Sequence, residues 1–199
     1  MTITPPEIKN AVHLCVDMQN IFAKDGPWAT PWMDRVIPKV VAITERHTAR
    51  TVFTRFITPA SAQDRPGRWQ HYYSRWPQVT RENLLPEQLE LVPALARFAP
   101  PANIVDKEFY SAFAGSRLFA LLTQKHVTTL IVTGTETDIC VLSTVFNAID
   151  LGFRVILVED ALCSSSDEGH DALMTMYRSR LTHQIELINS NDLSELWVE

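Results

Sequence analysis

In Thr129-Leu130-Ile131-Val132-Thr133-Gly134-Thr135-Glu136-Thr137-Asp138-Ile139-Cys140 a short apolar run gives way to a polar turn and then to a helical pattern. An apolar run of that length bounded by turn residues reads as a buried strand, here Thr129 to Val132. Cys140 then falls at the C-terminal edge of a strand and in the first turn of a helix. Backbone amides and the positive end of the helix dipole converge at such a place, so a thiolate and a developing oxyanion are both stabilised there.

Working outward, other strand-like runs repeat the design. Val12-His13-Leu14-Cys15-Val16 is nearly continuous in apolar character and closes on Asp17. Thr51-Val52-Phe53-Thr54, Asn103-Ile104-Val105, Phe153 to Val158 and a weaker run at Gln184 to Ile188 complete the set. Continuous runs rather than alternating ones are what strands buried on both faces require. Between them lie segments of helical period. Met33, Val36, Ile37, Val40, Ile43 and His47 make one apolar stripe, with Pro38 either kinking that helix or marking where its regular part begins. Helices are also expected from Pro86 to Phe98, around Leu118 to Leu122, after Cys140 until Gly152, and from about Asp167 to Arg178. Strand and helix alternate along nearly the whole chain, which predicts an α/β domain of three layers with a parallel sheet between helices on both faces. Residues 57–86 show no sustained period and carry Pro59, Pro66, Gly67 and Pro77 among Trp69, Tyr72, Tyr73 and Trp76, the composition of a lid or binding loop.

Composition narrows the function. A chain of 199 residues is most economically one domain, 1–199, and its 46% hydrophobic and 21% charged fractions are those of a globular protein. The formal net charge of -5, with Lys and Arg scattered, gives no basic footprint for nucleic acid. No apolar stretch reaches membrane-spanning length, and the N-terminus lacks a basic region followed by an apolar one. Three cysteines, Cys15, Cys140 and Cys163, form an odd set without metal spacing, which suits a reducing compartment and places the expectation in the cytoplasm.

Asp17 and Lys107 also close strand-like runs, so in a parallel sheet they and Cys140 meet along one edge. Asp17 can then serve as general base for the thiol, with Lys107 holding the carboxylate ionised. Each residue alone has a plainer reading: a small core cysteine, a helix-capping aspartate, a solvated lysine. Cys15, inside a strand, and Cys163, in a polar loop, read as structural.

Asp17-Met18-Gln19-Asn20-Ile21-Phe22, Lys107 with Tyr110-Ser111-Ala112-Phe113, and GTETDICV around Cys140 together resemble the isochorismatase-like cysteine hydrolase superfamily, from about Val12 to Ile188. The resemblance implies a triad of Asp17, Lys107 and Cys140, and a six-stranded parallel sheet in the order 3-2-1-4-5-6. It implies a cis peptide between Thr135 and Glu136 that aims the Glu136 amide, with that of Cys140, at a substrate oxygen. Metal-dependent nicotinamidases of this superfamily carry an Asp-x-His pair after the second strand, where this chain has Phe56 and Thr58. No catalytic metal and no cofactor is therefore expected. The register favours Phe22 and Trp76 as substrate-binding residues, with Tyr110 and other aromatics of the loop as further walls. Family habit implies a dimer or tetramer.

The expected activity is metal-independent hydrolysis of a C–N bond in a small molecule through a thioester on Cys140. Vinyl-ether hydrolysis of the isochorismatase type, with Asp17 working without sulfur, is the alternative. A non-catalytic binding or thiol redox-sensing module is the alternative of another class.

Overall fold

The computed structural model describes residues 7–198. The expectations placed on residues 1–6 and 199, that one domain reaches both ends and that the first residues hold no leader, lie outside the described residues. Six strands, β1 (Ala11–Val16), β2 (Thr51–Phe56), β3 (Asn103–Lys107), β4 (Thr129–Thr135), β5 (Arg154–Cys163) and β6 (Ile185–Ile188), form one sheet in the order β3-β2-β1-β4-β5-β6. All five pairings are parallel. Fold class and strand order are therefore those expected.

Alternate residues of the central strands feed two separate cores. Cys15, Phe53, Ile131 and Ile156 pack with Met33, Val36, Val40 and Ile43 of α1 (Met33–Arg46) and Leu193 of α7 (Ser190–Leu196). Leu14, Val52, Leu130 and Leu157 face the opposite way, against α4 (Leu118–Gln124), α5 (Leu142–Asp150) and α6 (Asp167–Arg180). With both faces covered, a strand needs apolar residues at odd and even positions alike, which is why the runs read as continuous. Among the described residues no helix is long and apolar enough to cross a membrane.

Four local expectations differ. Helix α1 begins at Met33, ahead of Pro38, so the proline sits inside the helix and does not mark its start. The segment 86–98 is not one helix. A 3-10 turn at Pro86–Leu89 and the short α3 (Pro93–Ala96) are separated by Glu90–Val92. That piece is extended and pairs with the chain after β1, through Asn20 N to Glu90 O at 3.0 Å and Val92 N to Met18 O at 3.0 Å. Pro93 favours this break, because it excludes the helical conformation from Val92 and lacks a donor. Residues 57–86 contain α2 (Arg68–Arg75), in which Trp69, Tyr72 and Tyr73 stand at helical spacing, but over two turns only, so that the stretch as a whole shows no sustained period. Finally β5 runs on past Glu159 and Asp160 to Cys163, because its register with β4 shifts between Val132 and Gly134 and then resumes as Gly134 opposite Leu162. Cys163 is thus a buried strand residue and not part of a polar loop.

Gly134 is what lets β1 and β4 close up beside the site. Its φ is +113°, and a Cβ there would lie 2.1 Å from the carbonyl oxygen of Val16. Deeper in the same seam His13 pairs through Nε2 with Thr133 Oγ1 at 2.8 Å, tying β1 to β4.

Candidate active site

Strand order places the ends of β1 and β4 side by side, at the point where successive connections leave in opposite directions. Asp17 follows β1 directly. It is fully buried and its φ of 51° lies in the left-handed region, a conformation that persists only where the surroundings enforce it. The enforcing group is Thr54 on β2, whose Oγ1 accepts from Asp17 N at 3.1 Å and donates to Asp17 Oδ1 at 2.5 Å.

Asp17 Oδ2 makes no conventional hydrogen bond but faces Lys107 Nζ at 2.7 Å, both side chains being fully buried. Lys107 ends the edge strand β3 and must cross β2 to get there. Its ammonium passes 4.8 Å from the centre of the Phe56 ring, and also donates to the carbonyls of Phe109 at 3.0 Å and Tyr110 at 2.9 Å. A buried cation is tolerable only with its donors satisfied and a counter-charge at hand, and both conditions hold.

After β4 the Thr135–Glu136 peptide is cis. The chain then enters a π-helical turn, Thr137–Val141, in which the Ile139 and Val141 amides both donate to the Glu136 carbonyl at 3.1 and 3.0 Å. Cys140 sits in this turn, just ahead of α5. The turn is anchored from outside: Thr137 Oγ1 donates to Cys163 O at 3.1 Å and pairs with His170 Nδ1 at 2.9 Å, and Ser164 Oγ donates to Asp138 Oδ1 at 2.5 Å. Extension of β5 to Cys163 supplies the first and last of these partners, and α6 supplies His170.

Burial pushes the Cys140 thiol far above its ordinary range. Lys107 pulls it down, while Asp17 and Glu136 push it further up. Burial therefore favours the protonated form of this sulfur. Burial works to lower Lys107, but Asp17 and Cys140 outweigh it and hold the ammonium above its usual range. A buried ammonium, a carboxylate and a protonated thiol thus meet in one place, and the thiol has an acceptor for its proton in Asp17.

A cavity of about 460 Å³ opens over Cys140, walled by Phe22, Trp28, Phe56, Tyr72, Trp76 and Tyr110, with Glu136, Asp138 and Ser165 on its rim. Phe22, Trp76 and Tyr110, the residues expected to bind substrate, are among those lining it. Trp69 and Tyr73 do not line the cavity but back it, Trp69 stacking 6.0 Å from Tyr73 and lying 4.8 Å from Tyr110. Arg55 is spent on Asp106 and Glu90, while Arg68, His71 and Arg75 are exposed. Thr54, Asp138 and Ser165 were not among the expected site residues. Thr54 carried no distinguishing mark in the sequence, because β2 also holds Thr51 and Arg55.

The place of an Asp-x-His pair does not fit a metal. Phe56 has no donor atom and packs under Lys107, and Thr58 offers one buried hydroxyl. Among the described residues no group of three or more His, Cys, Asp or Glu side chains is placed to hold a metal ion.

Known proteins share this arrangement of chain. The isochorismatase domain profile matches residues 11–188. N-carbamoylsarcosine amidase of Arthrobacter sp is 32% identical over 157 residues, 74% of this chain and 57% of that protein's length. Nicotinamidase 3 of Arabidopsis thaliana is 29% identical over 171 residues, covering 85% of this chain and 81% of the relative. The chain spans only about half the length of some curated relatives, 47% for an isochorismatase family protein of Bacillus subtilis that is 34% identical over 86 residues and 43% of this chain. Among solved structures, a cysteine hydrolase from Pseudomonas syringae pv. phaseolicola 1448A superposes with a TM-score of 0.80 at 21% identity, over 97% of both chains, a likeness of fold.

Proposed function

The chain belongs to the isochorismatase family, and from that premise we propose that it is a metal-independent amidohydrolase acting on a C–N bond of a small molecule, with Cys140 as nucleophile. The observation that carries this reading is the fully buried Asp17–Lys107 pair beside the Cys140 thiol, on the floor of an aromatic cavity. An N-carbamoylsarcosine amidase and a nicotinamidase among the relatives support C–N cleavage.

The chemistry follows from the protonation states. As Cys140 Sγ attacks the substrate carbonyl, the thiol proton passes to Asp17, whose carboxylate is oriented by Thr54 and Lys107. The carbonyl oxygen takes the negative charge, and the amides of Glu136 and Cys140 are the donors assigned to it. Collapse breaks the C–N bond, Asp17 returns the proton to the departing nitrogen, and an acyl thioester remains on sulfur. Water then attacks the thioester, giving up a proton to Asp17, and the acid leaves as the thiol is restored. Phe22, Trp76 and Tyr110 hold the substrate. The buried free thiols suit the cytoplasm. Exposed Phe119, in edge contact with Phe153, and exposed Phe146 support assembly into a dimer or tetramer.

The test is an ammonia-release screen over small amides, ureides and hydrazides, with mass spectrometry of the protein for an acyl adduct on Cys140. A hit together with that adduct is expected, and Cys140→Ala is expected to keep its fold and lose turnover. Full activity in Cys140→Ala refutes the covalent route. Pyruvate release from isochorismate that resists thiol alkylation identifies the vinyl-ether reaction instead, and sulfenylation of Cys140 by peroxide without any hydrolysis identifies a redox sensor.

A further inference from the structure

The charge of the cavity lining says which amides fit it. Among the described residues that line it there are two carboxylates, Glu136 and Asp138, and no Arg, Lys or His. Lys107 lies beneath, but its donors are committed to Asp17, Phe109 O and Tyr110 O, so it is not available to a second anion. Glu136 is held in place by its neighbour in the lining, its Oε1 accepting from the Ser165 amide at 3.2 Å and from the Ser165 hydroxyl.

Facing this rim is a connected aromatic wall. Phe22 stacks on Trp28 at 5.8 Å, and Trp28 meets Phe56 at 6.0 Å and Tyr72 at 6.3 Å. Aromatic faces alone accept flat neutral groups as readily as cations. Aromatic faces opposite a fixed carboxylate favour a cation, which gains from the ring quadrupole and the ion pair together. An anionic group in the same space meets like charge on the rim and no compensating donor cation.

We infer that the natural substrate is a small amide whose non-reacting end carries an ammonium, guanidinium or amidinium group, bound between Glu136 and the wall formed by Trp28 and Tyr72. This rests on the amidohydrolase reading for the reaction but not for the binding. Burial first, and then neighbouring negative charge that includes Glu136, holds the Tyr72 and Tyr110 phenols above their ordinary range, so they stay neutral donors and add no anion of their own. Burial likewise raises the Glu136 carboxyl, with Ser165 opposing, and a docked cation favours its ionised form. An N-carbamoyl amino acid carries a carboxylate and suits this lining poorly.

The experiment uses three rigid para-substituted benzamides whose para group is cationic, neutral or anionic: 4-(aminomethyl)benzamide, 4-(hydroxymethyl)benzamide and 4-carbamoylbenzoate. Binding is measured by calorimetry on Cys140→Ala, and ammonia release is measured with the unaltered protein. The ammonium probe is expected to bind roughly ten- to a hundredfold tighter than the hydroxymethyl probe, with the carboxylate weakest. Glu136→Gln, its fold checked by thermal melting, is expected to erase that preference, raising KM for the ammonium probe far more than it changes kcat. No binding of the ammonium probe, equal or better binding of either other probe, or a preference that survives Glu136→Gln overturns the inference. Preferential binding of the ammonium probe without ammonia release from any member supports the cation site between Glu136 and the aromatic wall and counts against the amidohydrolase reading.

Discussion

Acidification from pH 7 to pH 5 is expected to loosen the seam between β1 and β4 through one residue, His13. It is fully buried, bonded to Thr133 and near Thr51 Oγ1 at 3.3 Å. Burial first, and the neighbouring His47 second, pushes its imidazole down to about 3 from an ordinary 6.5. At pH 5 the folded protein therefore keeps His13 neutral, while the unfolded chain protonates it. Stability rises with pH wherever the unfolded state binds more protons, so this contribution is complete above pH 6.5 and is lost as pH falls towards 3. Integrating the proton uptake of the unfolded imidazole between pH 7 and pH 5 gives a loss of about 2 kcal/mol. The folded value matters little to that figure, because pH 5 lies well above it. The assay is urea denaturation of the unaltered protein and of His13→Gln at both pH values, compared at equal slope. Other groups titrate equally in both proteins, so the unaltered protein should lose about 2 kcal/mol more than the variant. Parallel losses in the two proteins refute the reasoning.

Lys107→Met removes the counter-ion 2.7 Å from a buried carboxylate, and a lost buried partner costs about 3 to 5 kcal/mol; chemical denaturation should show it, with activity gone in the protein that still folds. Thr54→Val keeps the shape of β2 but deletes the hydroxyl on Asp17 Oδ1, and kcat/KM on any amide found by screening should fall roughly tenfold to a hundredfold while KM changes little. An unchanged pH–rate profile and kcat in Thr54→Val removes that hydroxyl from the account.

How much was legible follows the range of the interactions involved. Continuous apolar runs identified the strands because a strand covered on both faces imposes a pattern within itself, and Asp17 and Lys107 were readable as residues closing such runs, with Cys140 in the turn that follows another. The segment 86–98 is not one helix for two reasons: Pro93 is a local break signal that the apolar spacing outweighed in the sequence, and Glu90–Val92 is held by the backbone of Met18 and Asn20, some seventy positions earlier, which no local pattern shows. Cys163 was misplaced for the same reason, since a register shift against β4 carries β5 beyond its apolar run.

The sequence by itself determined the alternation of elements, the both-faces-buried sheet and the chemical types standing at its strand ends, because those rest on periodicity and on the conformational limits of neighbouring residues. Tertiary structure alone decided that Lys107 crosses β2 over Phe56 to meet Asp17, that Thr54 fixes the carboxylate, that Trp28 and Tyr72 line the cavity while Trp69 and Tyr73 stand behind it, and that, among the described residues, no cationic side chain joins Glu136 in its lining. Those are choices among partners far apart along the chain. They are made by packing and by the need to pair every buried charge, and a one-dimensional pattern does not carry them.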